Sequence, residues 1–585
     1  MRSFLKTFFA VILGLGVFSG ILFLFFFILL SAATADEEVA VEDKSVLHLK
    51  LNGIITERAS DDPLAEAFPE LGDARTGLLD LKKNIKAAAE DDRIEGIYLE
   101  AGIVQGGFAT VEEIRNELKA FRESGKWVVA YSEYYTEKGY YLASVADEIV
   151  LYPEGQMELN GLAAEITFFK GMLDKLEIEP QIFRVGTYKS FVEPYIRKDM
   201  SEANREQINA FLGSINQHMI GEIATSRGID KSRLTEISDG MLVRSAGDAL
   251  DMNLITATDY YDQVQKGIKE RLGLEDDDEI NYITYKDYKK APGTGTYVRS
   301  DNEIAVIVGQ GNIVSGPGDD ETIGSDVIAK AIREARLDDD IKAIVLRINS
   351  PGGSALASDV MWREVVLASE AKPIIASMSD VAASGGYYMA MACDTIVAQP
   401  NTITGSIGIF GILFNAQGFL NNKIGITTDV VSTGKYSNLI TLSRPLSEDE
   451  KAIIQNNVED GYRTFTSKAA EGRNMDLDAL LEVASGRVWT GVDAKRVGLV
   501  DVLGGFDDAV DIAAAKAGVS DDYKVRFYPE QKNFFEQLFG TTEAHLETKA
   551  LREQYGDMYP YLEQARKLQE YQGVMAVMPY ELDIH

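Results

Sequence analysis

Apolar and polar positions follow a regular succession along most of the chain. Short apolar runs such as residues 304–308, 343–348 and 373–377 alternate with stretches of helical periodicity such as 326–336 and 357–370. Short apolar runs bounded by turn residues are typical of buried strands, and strands that alternate with helices are typical of parallel sheets. The pattern therefore predicts an α/β fold with largely parallel strands.

The longest apolar run lies near the N-terminus. Residues 8–30 carry no charged side chain and follow a short basic segment, residues 1–7. A helix of this length spans roughly 34 Å, enough for the hydrocarbon core of a membrane. The basic flank before it and the acidic residues 36–38 after it predict a cytoplasmic N-terminus and a body on the other side. Residues 33–35 (ATA) resemble a signal-peptidase site, but a cleaved signal has an apolar core of only about 7 to 15 residues, so we expect a retained anchor.

The body of the chain contains an internal repeat. Residues 94–99 (IEGIYL) match residues 341–346 (IKAIVL) at an offset of 247, and the same offset pairs the Gly-Tyr-Tyr of 139–141 with that of 386–388. One offset that holds over several separate matches indicates two copies of one structural unit.

The repeat divides the chain into predicted domains. The first copy covers residues 46–290 and the second covers residues 301–520, with a polar, turn-rich stretch between them. Residues 521–585 form a tail that is rich in aromatic and charged residues and has no readable motif.

Composition narrows the possible partners. The chain has 58 basic and 92 acidic residues and a net charge of −34, which argues against nucleic acid as a partner because phosphate backbones repel an acidic surface. A single cysteine, Cys393, cannot form an intrachain disulfide or a thiolate metal cluster, and its apolar neighbours predict that it is buried. No motif implies a metal or a cofactor.

Residues 377–411 contain a candidate nucleophile. An apolar strand runs into Ser384-Gly385-Gly386, and the residues that follow can form a helix. A serine hydroxyl at such a strand-to-helix corner is open to an incoming carbonyl, and the N–H groups of the first helical turn have no intrahelical partner and can hold developing negative charge. Ser-Gly-Gly alone is also typical of a tight turn in which the serine caps a helix.

A second glycine turn adds a family resemblance. Residues 341–354 (IKAIVLRINSPGGS) read as a buried strand that ends in glycines. Together with the turn around Ser384 they resemble the Clp/crotonase superfold, and residues 404–411 (TGSIGIFG) narrow the resemblance to signal peptide peptidase A, or protease IV, in its long two-domain form. The resemblance implies two tandem Clp/crotonase-like domains behind one transmembrane helix, and an oxyanion hole made by the N–H groups of Gly353 and Gly385.

The first copy lacks the candidate serine. At the constant offset of 247, Glu137 occupies the position of Ser384 and Leu159 that of Ser406. The stretch Gly186 to Ser190 (GTYKS) aligns with the second copy when Gly186 is placed opposite Gly434, an offset of 248 instead of 247. Lys189 is then opposite Ser437. Each copy has thus kept one half of a possible serine and lysine pair.

A serine nucleophile requires a base. The resemblance implies that Lys189 is the general base for Ser384, which a lysine can be when burial lowers its pKa toward neutrality. Ser406 is a candidate for orienting the lysine amine, although the stretch Thr404–Ser406 fits an ordinary turn equally well. The four histidines lie outside the glycine-rich turns, which argues against a Ser-His-Asp triad. They are His48, His218, His545 and His585.

These features predict a membrane-anchored serine endopeptidase with a Ser384–Lys189 dyad formed within one chain. The resemblance implies remnants of cleaved signal peptides as substrates, a homotetramer, and a place in the bacterial inner membrane with the catalytic body on the periplasmic side. Two other classes share the superfold: a crotonase-type acyl-CoA enzyme, which would use the same turn N–H groups on a thioester enolate, and a non-catalytic membrane scaffold.

Overall fold

The computed structural model describes residue 8 and residues 12–21, 39–59, 75–292, 300–319, 321–530 and 573–578. Residues 12–21 are helical and exposed, and most of the remaining predicted anchor lies outside the described residues. Within the described ranges, no helix is both long enough and apolar enough to cross a membrane. The anchor over residues 8–30 stays a prediction.

The first repeat is built on a six-stranded sheet in which all paired strands run parallel. Alternate residues of a strand enter different apolar clusters: Ile97 and Leu99 pack on one face of the sheet and Tyr98 on the other. A strand buried on both faces is expected when helices cover the sheet. In spatial order the strands are Ala257–Thr258, Glu148–Met157, Trp127–Tyr135, Ile94–Glu100, Ser45–Lys50 and Tyr282–Thr284.

The second repeat has a sheet of the same kind, with one antiparallel edge strand, Val488–Thr490. Its other edge is Lys524–Tyr528, which lies in the predicted tail and pairs with Glu303–Gln310. The strands in order are Val488–Thr490, Ile403–Gly405, Ile374–Ala383, Ile341–Ser350, Glu303–Gln310 and Lys524–Tyr528, with Thr395–Ala398 and Val502–Leu503 as a branch from Ile374–Ala383.

Helices cover both sheets and follow the predicted alternation. In the first repeat they are Leu78–Glu90, Phe108–Glu123, Glu137–Ala143, Lys170–Leu176, Ser190–Val192 (3₁₀), Glu193–Ile196, Glu202–Arg227, Lys231–Asp239, Ala246–Asp251, Tyr261–Leu272 and Tyr285–Lys290. In the second they are Ser325–Leu337, Ala355–Ser369, Gly385–Ala390, Phe419–Ile424 (π), Glu448–Gly472, Leu477–Val483, Gly491–Arg496 and Phe506–Ala517.

The tandem repeat predicted from the sequence is confirmed by the positions of equivalent helices. Leu78–Glu90 and Ser325–Leu337 begin and end 247 residues apart. The helices Phe108–Glu123 and Ala355–Ser369 begin at the same offset. The predicted α/β fold with largely parallel strands is likewise confirmed. The domain boundaries at residues 46, 290, 301 and 520 stay predictions.

A third sheet joins the two repeats. Its strands are, in order, Thr322–Gly324, Asn312–Val314, Gly352–Ser354, Gly573–Val577, Ile409–Asn415 and Glu179–Val185. The last of these belongs to the first repeat and pairs antiparallel with Ile409–Asn415 of the second over seven residue pairs. A small separate sheet pairs Ile54–Thr56 with Arg75–Gly77. In the third sheet, a strand of the first repeat therefore pairs with a strand of the second repeat. The loop that holds Lys189 follows this first-repeat strand directly in the chain.

A buried ion-pair network also links the repeats. The Arg347 guanidinium lies 2.7 Å from Glu57 and 2.8 Å from Glu113, and Lys82 lies 2.9 Å from Asp507. Burial opposes the charge on Arg347, but the carboxylates of Glu113 and Glu57 outweigh it and raise the pKa of Arg347 above its usual value. Because an unpaired charge at such a site is strongly destabilising, these pairs favour one arrangement of the two repeats.

Candidate active site

Ser384 lies at the predicted corner between the strand Ile374–Ala383 and the helix Gly385–Ala390. Its backbone has a φ of 53° and a ψ of −108°, a conformation that a residue with a side chain rarely adopts and that typically stores about 1–3 kcal/mol of strain. The corner is held by the Ser384 N–H, which donates to the Gly405 carbonyl at 2.8 Å. The side chain of Ser384 makes no capping hydrogen bond to the helix it precedes.

Lys189 reaches the second repeat from a loop after the strand Glu179–Val185. The turn at Gly186 has a φ of 108°, and the Tyr188 N–H donates to the Ser485 carbonyl at 3.0 Å. The side chain of Lys189 then passes two glycines of the second repeat, Gly408 and Gly486. A Cβ added at Gly408 would lie 3.2 Å from Lys189 Cδ, and one at Gly486 would lie 2.8 Å from Lys189 Cβ. Glycine at these positions makes room for the lysine.

The structure brings Lys189 and Ser384 together within one chain. Lys189 Nζ lies 2.8 Å from Ser384 Oγ, 3.0 Å from Ser406 Oγ and 3.1 Å from the Ser406 carbonyl oxygen. A neutral amine has two N–H donors and one lone pair. It can therefore donate to both oxygens of Ser406 and still accept the proton of the Ser384 hydroxyl.

The surroundings favour the neutral form of Lys189. Its side chain has no exposed surface, and burial lowers the pKa of Lys189 well below its usual value. Burial is the only cause of this shift, with no carboxylate in the described ranges to offset it. Such an amine can act as a base at a pH where an exposed lysine is protonated.

Ser406 contacts the lysine amine through its hydroxyl and carbonyl oxygens, and its role in orienting Lys189 stays a prediction. Its φ is 50° and that of Gly405 is 79°, so two successive residues have left-handed backbones. The Ser406 N–H donates to the Arg487 carbonyl at 2.7 Å. This turn aims both the hydroxyl and the carbonyl of Ser406 at Lys189.

The two glycines predicted for the oxyanion hole lie in adjoining turns. Gly353 is in the short strand Gly352–Ser354, and Gly385 directly follows Ser384. A Cβ added at Gly352, whose φ is 106°, would lie 2.7 Å from the Gly385 nitrogen. The two glycine turns therefore touch, and the roles of Gly353 and Gly385 stay predictions.

The equivalent positions of the other repeat do not form such a site. Glu137 is buried at the end of the strand Trp127–Tyr135 and accepts backbone hydrogen bonds. Leu159 is buried in the core of the first repeat. Ser437 is exposed and donates to the Gly434 carbonyl at 3.1 Å.

The histidines in the described ranges lie in other surroundings. His48 lies on the strand Ser45–Lys50, 3.1 Å from Glu100, and His218 lies on the helix Glu202–Arg227, 2.8 Å from Glu112. His545 and His585 fall outside the described residues. Cys393 is buried, as predicted.

Sequence reasoning missed three features of the site. It did not assign Gly408 and Gly486, because nothing near them in the sequence shows that a distant lysine passes there. It also found no role for the strand Gly573–Val577. A short apolar run, GVMAVM at residues 573–578, stands out in the polar tail and could have suggested a strand.

Comparisons with known proteins identify the family of the chain. The model of peptidase family S49 matches residues 120–275 and 367–520, one match in each repeat. The chain is 38% identical over 492 residues to the chloroplastic serine protease SPPA of Arabidopsis thaliana, covering 83% of this chain and 71% of that protein. It is 38% identical over 516 residues to protease 4 of Salmonella typhi, covering 85% and 82%, and 35% identical over 512 residues to protease 4 of Haemophilus influenzae, covering 85% and 83%.

Solved structures add little to this assignment. A mutant form of ClpP1 from Listeria monocytogenes is similar to 35% of this chain and 94% of its own, with 14% identity and a TM-score of 0.24. A likeness of that size carries no argument, and the Clp/crotonase-like form of each unit stays a prediction. The family model and the three long alignments are sufficient: the chain belongs to peptidase family S49 and is a serine peptidase.

Proposed function

We propose that the chain is a membrane-anchored serine endopeptidase in which Ser384 is the nucleophile and Lys189 is the general base. The observation that carries this proposal is the distance of 2.8 Å between Lys189 Nζ and Ser384 Oγ in a fully buried setting. Burial lowers the pKa of Lys189 and so favours the neutral amine, and a neutral amine at hydrogen-bond distance can take the serine proton.

The reaction follows from these contacts. Ser384 Oγ attacks the substrate carbonyl while Lys189 takes its proton, and the carbonyl oxygen becomes an oxyanion that accepts from the N–H groups of Gly353 and Gly385. Lys189 then gives the proton to the leaving amine, which releases the first product and leaves an acyl ester on Ser384. A water molecule, deprotonated by Lys189, hydrolyses that ester and restores both residues.

Ser406 supports the proton transfers. Both of its oxygens lie within 3.1 Å of Lys189 Nζ, so the ammonium that forms during the reaction keeps two acceptors in a buried site. The same two contacts fix the direction of the amine lone pair when the lysine is neutral. Ser406 is thus a positioning residue for Lys189.

Neither of the other two classes has a specific observation in its favour. A crotonase-type acyl-CoA enzyme would not require a serine and a lysine in contact, and a scaffold would not require a strained serine corner. Membership of peptidase family S49 supports the peptidase.

The substrate and the location are proposed from the resemblance and from the N-terminal sequence. The charge asymmetry around residues 8–30 supports a single anchor in the bacterial inner membrane with the body on the periplasmic side. Remnants of cleaved signal peptides are apolar and are produced at the membrane, which fits an anchored peptidase. Protease added to intact spheroplasts should digest the body of the chain, and full protection would contradict this orientation.

The internal repeat supports a closed ring of copies, in keeping with the proposed homotetramer. Within one chain Glu179–Val185 pairs with Ile409–Asn415. The counterparts of these strands in the other repeat are residues 427–433, which are exposed throughout, and residues 162–168. We propose the same pairing between neighbouring copies, with 427–433 of one copy against 162–168 of the next; such a head-to-tail contact forms a ring when the rotation between copies closes, as the proposed homotetramer requires. The Val431 side chain is 98% exposed, and Val431→Asp should reduce the assembly size measured by light scattering; an unchanged size would contradict the contact.

The test of the catalytic proposal is an assay of detergent-purified full-length protein on an apolar peptide. Ser384→Ala should lower kcat/KM by about 10³-fold or more, because the nucleophile is lost. Ser437→Ala is the control, since it removes an exposed serine from the loop that corresponds to the Lys189 loop of the other repeat, and should keep wild-type activity. If Ser384→Ala retained wild-type activity, the proposal would be wrong.

A further inference from the structure

A buried glutamine lies beside the loop that carries Lys189. Gln207 belongs to the helix Glu202–Arg227 of the first repeat and has no exposed surface. Its Nε2 group donates to the Tyr188 carbonyl at 3.1 Å and to Ser190 Oγ at 3.2 Å. The two residues that flank Lys189 in the chain are therefore both hydrogen-bonded to this one side chain.

The oxygen of the same amide faces the second repeat. The Val488 N–H donates to Gln207 Oε1 at 3.4 Å. The residue before it, Arg487, accepts from the Ser406 N–H through its carbonyl. Val488 itself is paired with Gly405, whose carbonyl accepts from the N–H of the candidate nucleophile. One side chain thus joins the segment that holds the lysine to the strand that supports both serines.

The orientation of this amide is fixed by its backbone partners. The Tyr188 carbonyl can only accept a hydrogen bond and the Val488 N–H can only donate one, so the two ends of the Gln207 amide cannot be exchanged. Asn204 Oδ1 lies 3.3 Å from Gln207 Nε2, and Asn204 Nδ2 donates to the buried Glu193 carboxylate at 3.0 Å. The amide is therefore held from its own helix while it contacts both repeats.

The second repeat lacks this amide. Its helix Glu448–Gly472 corresponds to the helix of Gln207, because Ser201 and Ser447 cap the two helices in the same way, each accepting from the N–H three residues on. These serines are 246 residues apart, which places Ile453 at the position of Gln207. Isoleucine has no side-chain donor or acceptor. The amide is present only in the repeat whose loop supplies the lysine.

The exposed side of the lysine loop has a different contact. The Arg487 guanidinium lies 4.8 Å from the centroid of the Tyr188 ring, donates to the Tyr188 hydroxyl at 3.2 Å and lies 3.0 Å from Glu206. Ion pairs that reach the surface contribute little because water screens them. A buried amide that lost its partners would be left unsatisfied, so its hydrogen bonds hold the loop more strongly.

We propose that Gln207 is a positioning residue of the active site, which holds the Lys189 loop against the strand Val488–Thr490 and so keeps the amine at Ser384 and away from water. This inference rests on the proposed function, since it takes Lys189 as the base for Ser384. Gln207 acts through Lys189 and does not itself contact the reacting atoms.

The link affects two properties of Lys189. The first is the distance of 2.8 Å between Lys189 Nζ and Ser384 Oγ, which proton transfer requires. The second is burial, the only cause that lowers the pKa of Lys189. A loop released from Gln207 would let the amine move and let water reach it, so that the pKa of Lys189 would rise toward its ordinary value.

The test is Gln207→Met in the detergent-purified full-length protein, assayed on an apolar peptide. Methionine has a similar length and is flexible enough to fill the same space, but it lacks the amide. Because small displacements of a reacting group can lower the rate by up to about 10²-fold, we expect kcat to fall by about tenfold to a hundredfold with little change in KM. The midpoint of the rise of kcat/KM with pH should move to higher pH, because that midpoint reports the pKa of the free base.

Two further variants make the test specific. Gln207→Asn keeps a buried amide but is one methylene group shorter, so it cannot reach both Tyr188 and Val488. It should show the same pattern, and it carries the test if Gln207→Met fails to fold in urea unfolding. Gln455→Met is the control, because Gln455 lies on the corresponding helix of the second repeat and donates to Glu459 of that helix. It should have wild-type kcat and a wild-type pH profile.

The outcomes separate this inference from the proposed function. Wild-type kcat in the Gln207 variants would overturn the inference. A loss of activity with an unchanged pH midpoint, or a loss that appears only in KM, would also overturn it, since a merely structural role gives that result; the proposed function would stand in both cases. A wild-type profile that is flat across the range in which lysines titrate would instead remove Lys189 as the base, and this inference with it.

Discussion

The same strand-to-helix corner occurs in both repeats, with different backbone geometry and different chemistry. In the first repeat Thr136 has an ordinary extended backbone, with a φ of −70°, and its side chain caps the helix by accepting from the Gly139 N–H. The next residue, Glu137, accepts from the N–H groups of Asn160 and Gly161 at 2.7 Å and 2.6 Å. In the second repeat Ser384, at the position of Glu137, has a φ of 53° and its hydroxyl meets Lys189.

The difference shows how one scaffold serves two purposes. The Glu137 carboxylate satisfies two backbone donors of its own repeat, and the corner is a closed structural element. At Ser384 the backbone is strained instead, and the hydroxyl forms a hydrogen bond with Lys189 of the other repeat. Strain that persists at one copy of a corner and is absent from the other is typical of a functional site.

The lysine side of the pair shows the reverse pattern. Lys189 lies in a loop that is fixed by the Ser485 carbonyl and by close approach to Gly486. Its counterpart Ser437 lies on an exposed loop and bonds only within it, to Gly434. Each repeat therefore keeps one ordered functional loop, and the site forms only where these loops meet.

The largest effect is expected from Lys189→Met, which keeps an apolar side chain of similar length and removes the base. Activity on an apolar peptide should fall by roughly 10² to 10⁴, the usual contribution of a general base. Lys198→Met, at an exposed position nearby, is the matched control. Mixing Lys189→Met chains with Ser384→Ala chains under conditions of subunit exchange should restore no activity. Recovery of activity in the mixture would mean that the pair forms between chains.

The next effect concerns the space through which Lys189 passes. Gly486→Ala adds a Cβ 2.8 Å from Lys189 backbone and side-chain atoms at a φ of 78°, so the lysine must shift. We expect a loss of activity of about tenfold or more, and a loss of stability of about 1–3 kcal/mol in urea unfolding. Gly425→Ala is the control, because it has a similar φ of 75° and no atom within 4 Å of the added Cβ. Equal losses in both variants would show that backbone strain alone is responsible.

A smaller effect is expected from Ser406→Ala, which removes one of the two acceptors of Lys189 Nζ and keeps the Ser406 carbonyl. A hydrogen bond to a charged group contributes about 1.5–3 kcal/mol, so kcat should fall by roughly tenfold to a hundredfold with little change in KM. Ser443→Ala, outside the site, should have wild-type kcat. A changed KM with an unchanged kcat would remove Ser406 from the proton-transfer step.

The smallest effect on activity is expected in the first repeat. Glu137→Ser copies the serine of the second repeat but not its backbone or its lysine, and should add no activity. It should lower stability by about 1–3 kcal/mol, because the N–H groups of Asn160 and Gly161 lose the carboxylate that accepts their hydrogen bonds. Labelling with a fluorophosphonate in a Ser384→Ala background should detect no reactive serine at residue 137. Labelling there would show that the difference between the two corners does not decide reactivity.

The sequence predicted the periodic elements and the residues tied to the repeat. Helices such as Ser325–Leu337 have the apolar spacing of amphipathic helices. The offset of 247 showed that Glu137 stands in the place of Ser384, and an offset of 248 placed Lys189 opposite Ser437. Three properties were not readable from the sequence: the positive φ of Ser384, the glycines that make room for the lysine, and the docking of residues 573–578. All three depend on contacts between segments that are distant in sequence.

The pH dependence of kcat/KM decides whether a neutral Lys189 takes the proton of Ser384. Burial lowers the pKa of Lys189, so the amine is protonated and inactive below that depressed pKa and becomes a base above it. We expect kcat/KM to rise with pH and to reach its plateau below about pH 10.4, the pKa of an exposed lysine. A profile that is flat from about pH 5 to about pH 10 would contradict it, because no lysine would then lose a proton in the step that limits cleavage.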